Sequence, residues 1–150
     1  MIPSITPLLN SELKFAEQPT LTWGLNLQEG DDRVRGQADG LAAMRQAVYK
    51  IINTERYNYL IYSYNYGIEL ADLFGQPVSF VCPEIERRIT EALMQDSRIT
   101  GVSGFEFDLP RKATNGSPAT HAVGSRSIVH VKFEVQTIFG SLTAERTVNY

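Results

Sequence analysis

Cysteine occurs once, at Cys82, and histidine only twice, at His121 and His130. A single thiol cannot form an intrachain disulfide, and it excludes a cysteine-based zinc site. Such low cysteine use fits a reducing compartment. No apolar run is long enough to span a membrane. The first ten residues hold Pro3 and Pro7 and have no basic segment leading into an apolar core. No signal peptide is therefore expected, and assembly in the cytoplasm is. A basic excess is missing too. Lys and Arg number 14 against 17 Asp and Glu, a net charge of -3 without a long run of one sign. That excludes the electrostatic footprint of a nucleic-acid binder. Internal repeats and low-complexity tracts are also absent.

The remainder has ordinary globular composition: 150 residues, 43% hydrophobic and 21% charged. That length supports one domain with a core that needs no staples. Residues 1–12 are expected to be a mobile arm and residues 13–150 the domain. Two strand-like runs open it, Leu13-Lys14-Phe15-Ala16 and Leu21 to Leu27, the second with Leu21, Trp23, Leu25 and Leu27 on one face. Gln28 to Arg35 reads as a polar turn. Asp39 caps a helix whose apolar positions are Leu41, Met44, Val48, Ile51 and Ile52, ending near Asn53. A stretch rich in tyrosine follows, with Tyr57, Tyr59, Tyr62, Tyr64 and Tyr66, and suits a packed, partly wet surface. Gly67 permits a tight turn, and Ile68 to Phe74 reads as a short helix stopped by Gly75.

Pro83 reads as the first position of a second helix, because its missing N–H is unpaired there anyway. Ile85, Ile89, Ala92 and Leu93 form the stripe of that helix. Glu84 and Glu86 would then face the positive end of its dipole. Beyond Arg98 the period becomes two. Phe105, Phe107 and Leu109 alternate, Arg111 to Gly124 reads as a long loop, and Ile128 to Ile138 alternates through Val129, Val131, Phe133 and Val135. After a turn at Gly140, Leu142, Ala144, Arg146 and Val148 continue the alternation. The fold class is α+β, two main helices packed on a mostly antiparallel sheet in a single domain.

Chemistry is thinly represented. No glycine-rich phosphate loop, nucleophile elbow or dinucleotide fingerprint occurs. His130, opposite in phase to Val129 and Val131, reads as an exposed strand residue. Cys82 at a helix start could have a lowered pKa, but a small buried thiol is the simpler reading. Glu55, Glu69 and Asp72 could form a carboxylate hydrolase site, although acidic residues near helix ends commonly cap and solvate. No catalytic, cofactor-binding or metal residue is assigned, and no cofactor is expected. Two arginine-centred pairs stand out, Glu55-Arg56 and Asp96-Ser97-Arg98. The planar guanidinium fork suits carboxylates and carbonyls. Each pair could bind another chain or close an internal bridge.

The run Ala47 to Arg56, then Tyr59-Leu60-Ile61-Tyr62-Ser63, Tyr66-Gly67-Ile68-Glu69-Leu70 and Asp72-Leu73-Phe74-Gly75, resembles the XkdS-type proteins of phage-like tail elements. These are similar to the baseplate wedge and sheath-initiator proteins of contractile tails and to their TssE-like counterparts in type VI secretion. Glu86-Arg87-Arg88-Ile89, Glu91-Ala92-Leu93 and Asp96-Ser97-Arg98-Ile99 resemble the helix leading to that family's Glu-Pro-Arg signature, with Asp96 and Ser97 replacing the glutamate and proline. The resemblance covers about Trp23 to Phe139. It implies a structural, non-enzymatic subunit of the baseplate of a virion or tail-like particle. Implied partners are baseplate J-like wedge proteins, the core bundle and the tail sheath, with tube or hub proteins as further candidates, and neither nucleic acid nor membrane. A sheet edge offered to the first sheath ring would join them by strand addition. The candidate interface residues are Glu55, Arg56, Tyr66, Asp96, Arg98, Val131, Phe133, Leu142, Ala144 and Val148. A lysozyme-like cell-wall hydrolase and a small adaptor outside any tail are the alternatives.

Overall fold

The computed structural model describes residues 20–26, 34–109 and 128–150, with backbone alone at position 35. Strands β1 (Thr22–Leu25) and β2 (Val34–Ala38) pair as an antiparallel ribbon. Helix α1 (Gly40–Asn53) follows, then a 3-10 turn at Ala71–Leu73 and helix α2 (Val78–Leu93). Strands β3 (Ile99–Asp108), β4 (Ile128–Thr137) and β5 (Gly140–Asn149) form a second antiparallel sheet with β4 central. Two helices on a mostly antiparallel sheet is the α+β class expected. The expected arm at 1–12, the run Leu13 to Ala16, most of the polar turn, and the loop containing His121 lie outside the described residues.

Period-two burial builds one layer. Val129, Val131, Phe133 and Val135 of β4 are all buried, and Leu142 and Val148 of β5 join them. Period-3.6 burial builds the other. Met44, Val48, Ile51 and Ile52 of α1 and Val81, Ile85, Ile89 and Leu93 of α2 share one core with the sheet. Helix α1 lies nearest β5 and α2 nearest β3. Phe105 stacks on Phe133 with centroids 5.3 Å apart, a geometry aromatic pairs favour. Asp39 caps α1 as expected, its carboxylate accepting from Gly40 N at 2.7 Å. A hydroxyl donated by Thr20, and after it that Gly40 bond, hold the Asp39 carboxyl below its ordinary pKa.

Three local expectations are corrected. Helix α2 begins at Val78, and Pro83 lies inside it. The carbonyl of Pro77 accepts from Phe80 N and Val81 N at 2.9 and 3.0 Å. Fully buried Val81 draws the extra turn into the core, at the cost of the one backbone bond Pro83 cannot donate. Glu84 is therefore not at the helix start; it accepts from Arg87 and Arg88 one turn on. Ile68 to Phe74 is not a helix throughout. Ile68 bridges Glu55 in parallel, and only Ala71–Leu73 is helical.

Candidate protein interface

The chain leaves α1, travels through the tyrosines and returns beside its own starting point. Ile68 N donates to Thr54 O, and Arg56 N donates to Ile68 O, both at 2.9 Å. Residues 56–67 thus form a closed loop with adjacent ends, an Ω-loop. Gly67 makes the closure possible. Its φ is +90°, and a Cβ there would stand 2.5 Å from Thr54 O. No L side chain fits that approach.

Glu55 and Arg56 turn inward to fasten this loop. Glu55 Oε1 accepts from Leu70 N at 2.9 Å and Ala71 N at 3.0 Å, capping the 3-10 turn. Arg56 donates from Nε to Gly67 O at 3.2 Å and from Nη1 to Glu91 Oε1 at 3.1 Å, tying the loop to α2. Arg88 adds bonds to Glu69 O at 2.6 Å and to the Asp72 carboxylate. Arg88 holds the Asp72 carboxyl below its ordinary pKa, Arg56 does the same for Glu91, and Arg87 with Arg88 lowers Glu84 to about 2. Within the loop, Tyr62 stacks on Tyr66 at 4.4 Å and meets Tyr59 edge-on at 6.1 Å.

Tyr66 is half-buried, and burial pushes its hydroxyl pKa up, helped by Tyr62 and Asp96. It borders a groove of about 370 Å³ with Asn65, Gln95 and Asp96. Asp96 and Arg98 pair with each other: Arg98 Nη2 donates to Asp96 Oδ2 at 2.6 Å, and Arg98 N and Nε donate to Oδ1 at 3.0 and 2.9 Å. Arg98 O accepts from Ile138 N at 3.0 Å, joining the start of β3 to the turn after β4.

The remaining candidates divide by strand. Val131 and Phe133 belong to β4, paired on both sides, with buried side chains. Leu142, Ala144 and Val148 belong to β5, which pairs with no further strand among the described residues; their side chains face inward. What β5 can offer another chain is backbone. Its ten pairs with β4 run from Thr137↔Gly140 to Ile128↔Asn149 without a shift in register. The opposite edge, β3, is interrupted twice, between Ile99 and Gly101 and between Ser103 and Glu106.

Sequence reasoning passed over two features, and a third that it read is placed at the surface. Arg146 turns inward, where Nη1 donates to Asn53 Oδ1 and burial lowers its pKa. It faces a cleft of about 920 Å³ between α1 and the sheet. Its place in the apolar phase of β5 was the available signal. Leu60 and Ile61 stand out at the loop tip, signalled by an uncharged run from Tyr57 to Ile68. Leu21, Trp23 and Leu25 share a face, as the alternation indicated, and that face is exposed. Among the described residues no three His, Cys, Asp or Glu side chains gather as a metal group, and no helix is long and apolar enough to cross a membrane.

Comparison with known proteins adds two findings. Residues 21–140 match the family described as contractile injection system sheath initiator. The chain is also similar to the Phage-like element PBSX protein XkdS of Bacillus subtilis (strain 168). The two are 38% identical over 112 residues, 73% of this chain and 69% of the relative.

Proposed function

The chain belongs to the contractile injection system sheath initiator family, and from that premise we propose that it is a baseplate wedge subunit that starts the sheath by lending the open edge of β5 to a sheath strand. Its membership makes it a structural component of a phage-tail type of apparatus. The observation that carries the finer reading is the contrast between the two sheet edges. A strand adding to β3 would meet two bulges, which bend and interrupt a pairing edge. A strand adding to β5 would meet ten residues in unbroken register. Each backbone bond exchanged for water contributes about 0.5–1.5 kcal/mol net. One subunit therefore binds weakly, while a closed ring binds by avidity.

The groove beside Tyr66 and Asp96 is the proposed contact with neighbouring wedge proteins and the core bundle, with Arg98 holding the Asp96 carboxylate in place. Glu55 and Arg56 serve that contact indirectly, by fixing the loop that forms its wall. The role is mechanical. Two carboxylates a hydrolase could use, Glu55 and Asp72, are bound to the Leu70 and Ala71 amides and to Arg88.

Hydrogen exchange on the purified chain, alone and with purified sheath subunits, tests the strand addition. Amides along β5 that exchange readily in the free chain should become protected when sheath is added, while β3 stays unchanged. Protection appearing elsewhere with β5 unaltered would refute it.

A further inference from the structure

The Ω-loop presents at its tip the most exposed apolar side chains among the described residues. Leu60 is fully exposed and Ile61 is 84% exposed, flanked by Tyr57, Tyr59 and Tyr64. From Tyr57 to Ile68 there are twelve residues without a formal charge. Adjacent large apolar side chains at a loop tip form the kind of exposed patch that marks an interaction site, and the tyrosines around them are a residue type enriched in binding hot spots.

We propose that this tip is a plug that seats in an uncharged apolar pocket on a different protein of the baseplate; the proposal rests on the chain's residence in that assembly. Three observations select this occupant. First, the loop is already rigid: Gly67, Arg56, Glu55 and the Tyr59–Tyr62–Tyr66 contacts hold it. Little ordering entropy remains to be lost on docking, as in paratopes built on tyrosine. Second, charge complementarity requires a neutral pocket. A charged group facing Leu60 and Ile61 would lose its water and meet no counter-charge across twelve uncharged residues. Third, the other two occupants fit poorly. A second copy would need a matching apolar hollow, since a two-fold contact is self-complementary. The groove nearest the loop is instead of mixed character: Ile51, Tyr66 and Ala92 line it together with Asn65, Gln95 and the ionised Asp96. A bilayer would favour flanking lysines and arginines. The exposed charges that follow the run are Glu69 and Asp72, and Arg56 before it is bound to Glu91. The tyrosine hydroxyls around the tip add directional bonds to backbone carbonyls at the pocket rim.

The test uses tail particles assembled in cells that carry the full chain, with benzoylphenylalanine at position 61 for photo-crosslinking. A Leu60→Asp/Ile61→Asp chain is compared with a Leu60→Met/Ile61→Val chain. Both positions are solvent-exposed, so both purified variants should melt with the parent. The crosslink should reach apolar residues of one other baseplate protein, with a yield insensitive to salt. The aspartate chain should enter particles at least about tenfold less, which corresponds to about 1.4 kcal/mol of lost binding. The conservative chain should enter normally. Equal incorporation of the aspartate chain would overturn the plug while leaving the baseplate reading intact. So would a crosslink to a second copy, or flotation of the parent chain, but not the aspartate chain, with phosphatidylglycerol vesicles. Absence of the parent chain from particles would instead overturn the baseplate reading, and the plug with it.

Discussion

The three-stranded sheet and the segment from Thr54 to Gly75 are stabilised by opposite means. The sheet turns its large apolar side chains inward and, Arg146 and Thr137 apart, its polar ones outward, with Lys132 opposite both Glu106 and Glu145 on the outer face. The segment turns many of its large apolar side chains outward. It is held by a carboxylate on two amides, an arginine on a carbonyl and ion pairs to α2. The difference teaches where each part can work. A sheet whose large apolar side chains are committed to the core recruits a partner through the backbone of its edge. A surface fastened from beneath by polar groups leaves its side chains free.

The comparison breaks most visibly in the core. Phe133→Ala should cost about 3–5 kcal/mol, a fall in melting temperature on the order of 10 °C. The loss should be global, with sheet and helix amides exchanging together. A melt within error of the parent would show that the Phe105–Phe133 row does not hold the sheet.

Gly67→Ala strikes the segment where it closes. The φ of +90° and the contact with Thr54 O should make the variant less stable by about 1–3 kcal/mol. Hydrogen exchange should accelerate between 54 and 75 before it does in β4. Acceleration in both at once would mean that the loop and sheet unfold as one unit.

Glu55→Ala removes a cap worth about 0.5–2 kcal/mol. Leu70 and Ala71 amides should lose protection while β4 and β5 keep theirs. Unchanged exchange at those two amides would remove Glu55 from the fastening role.

The smallest effect is that of acid. Asp72, Glu84 and Glu91 have folded-state pKa values below their ordinary ones. Their stabilisation is complete above the ordinary values and is lost as pH falls through the folded ones. Loosening should begin near pH 4.5 and finish towards about 2, where Glu84 titrates. Asp72, Glu91 and Arg87 are each about half exposed, so the effect is modest and screened by salt. Tyrosine fluorescence should report it before sheet ellipticity does, and Glu84→Gln should shift its onset.

Legibility in the sequence follows the same division. Helix α1 and strands β4 and β5 were readable because one physical signal, the period of burial, governs each along its length. The entry to α2 was misread because proline's preference for a first position competed with burial of Val81, and burial prevailed. In the tyrosine-rich run the residue types announced a surface, but the sequence does not say which rings point outward. That is decided by bonds from Arg56 and Glu55 to backbone groups eleven to sixteen residues away, and pattern reading has no access to such pairings. Arg146 was hidden for a related reason. An arginine in the apolar phase of a strand looks like an edge charge until Asn53 is found beneath it.

One buried side chain bears on which edge a partner can use. Gln46 of α1 accepts from Leu25 N at 2.8 Å and donates to Trp23 O at 2.9 Å. A carbonyl at one residue and an N–H two residues on are the pair that a neighbouring strand would engage, and a side-chain amide is chemically a single peptide unit. The helix thus contributes a third strand one unit long to the ribbon. Any visitor attempting to zip along β1 would have to evict it and leave a buried amide stranded. Three edges are thus told apart: β1 is seated, β3 is bent, and β5 carries no further strand among the described residues.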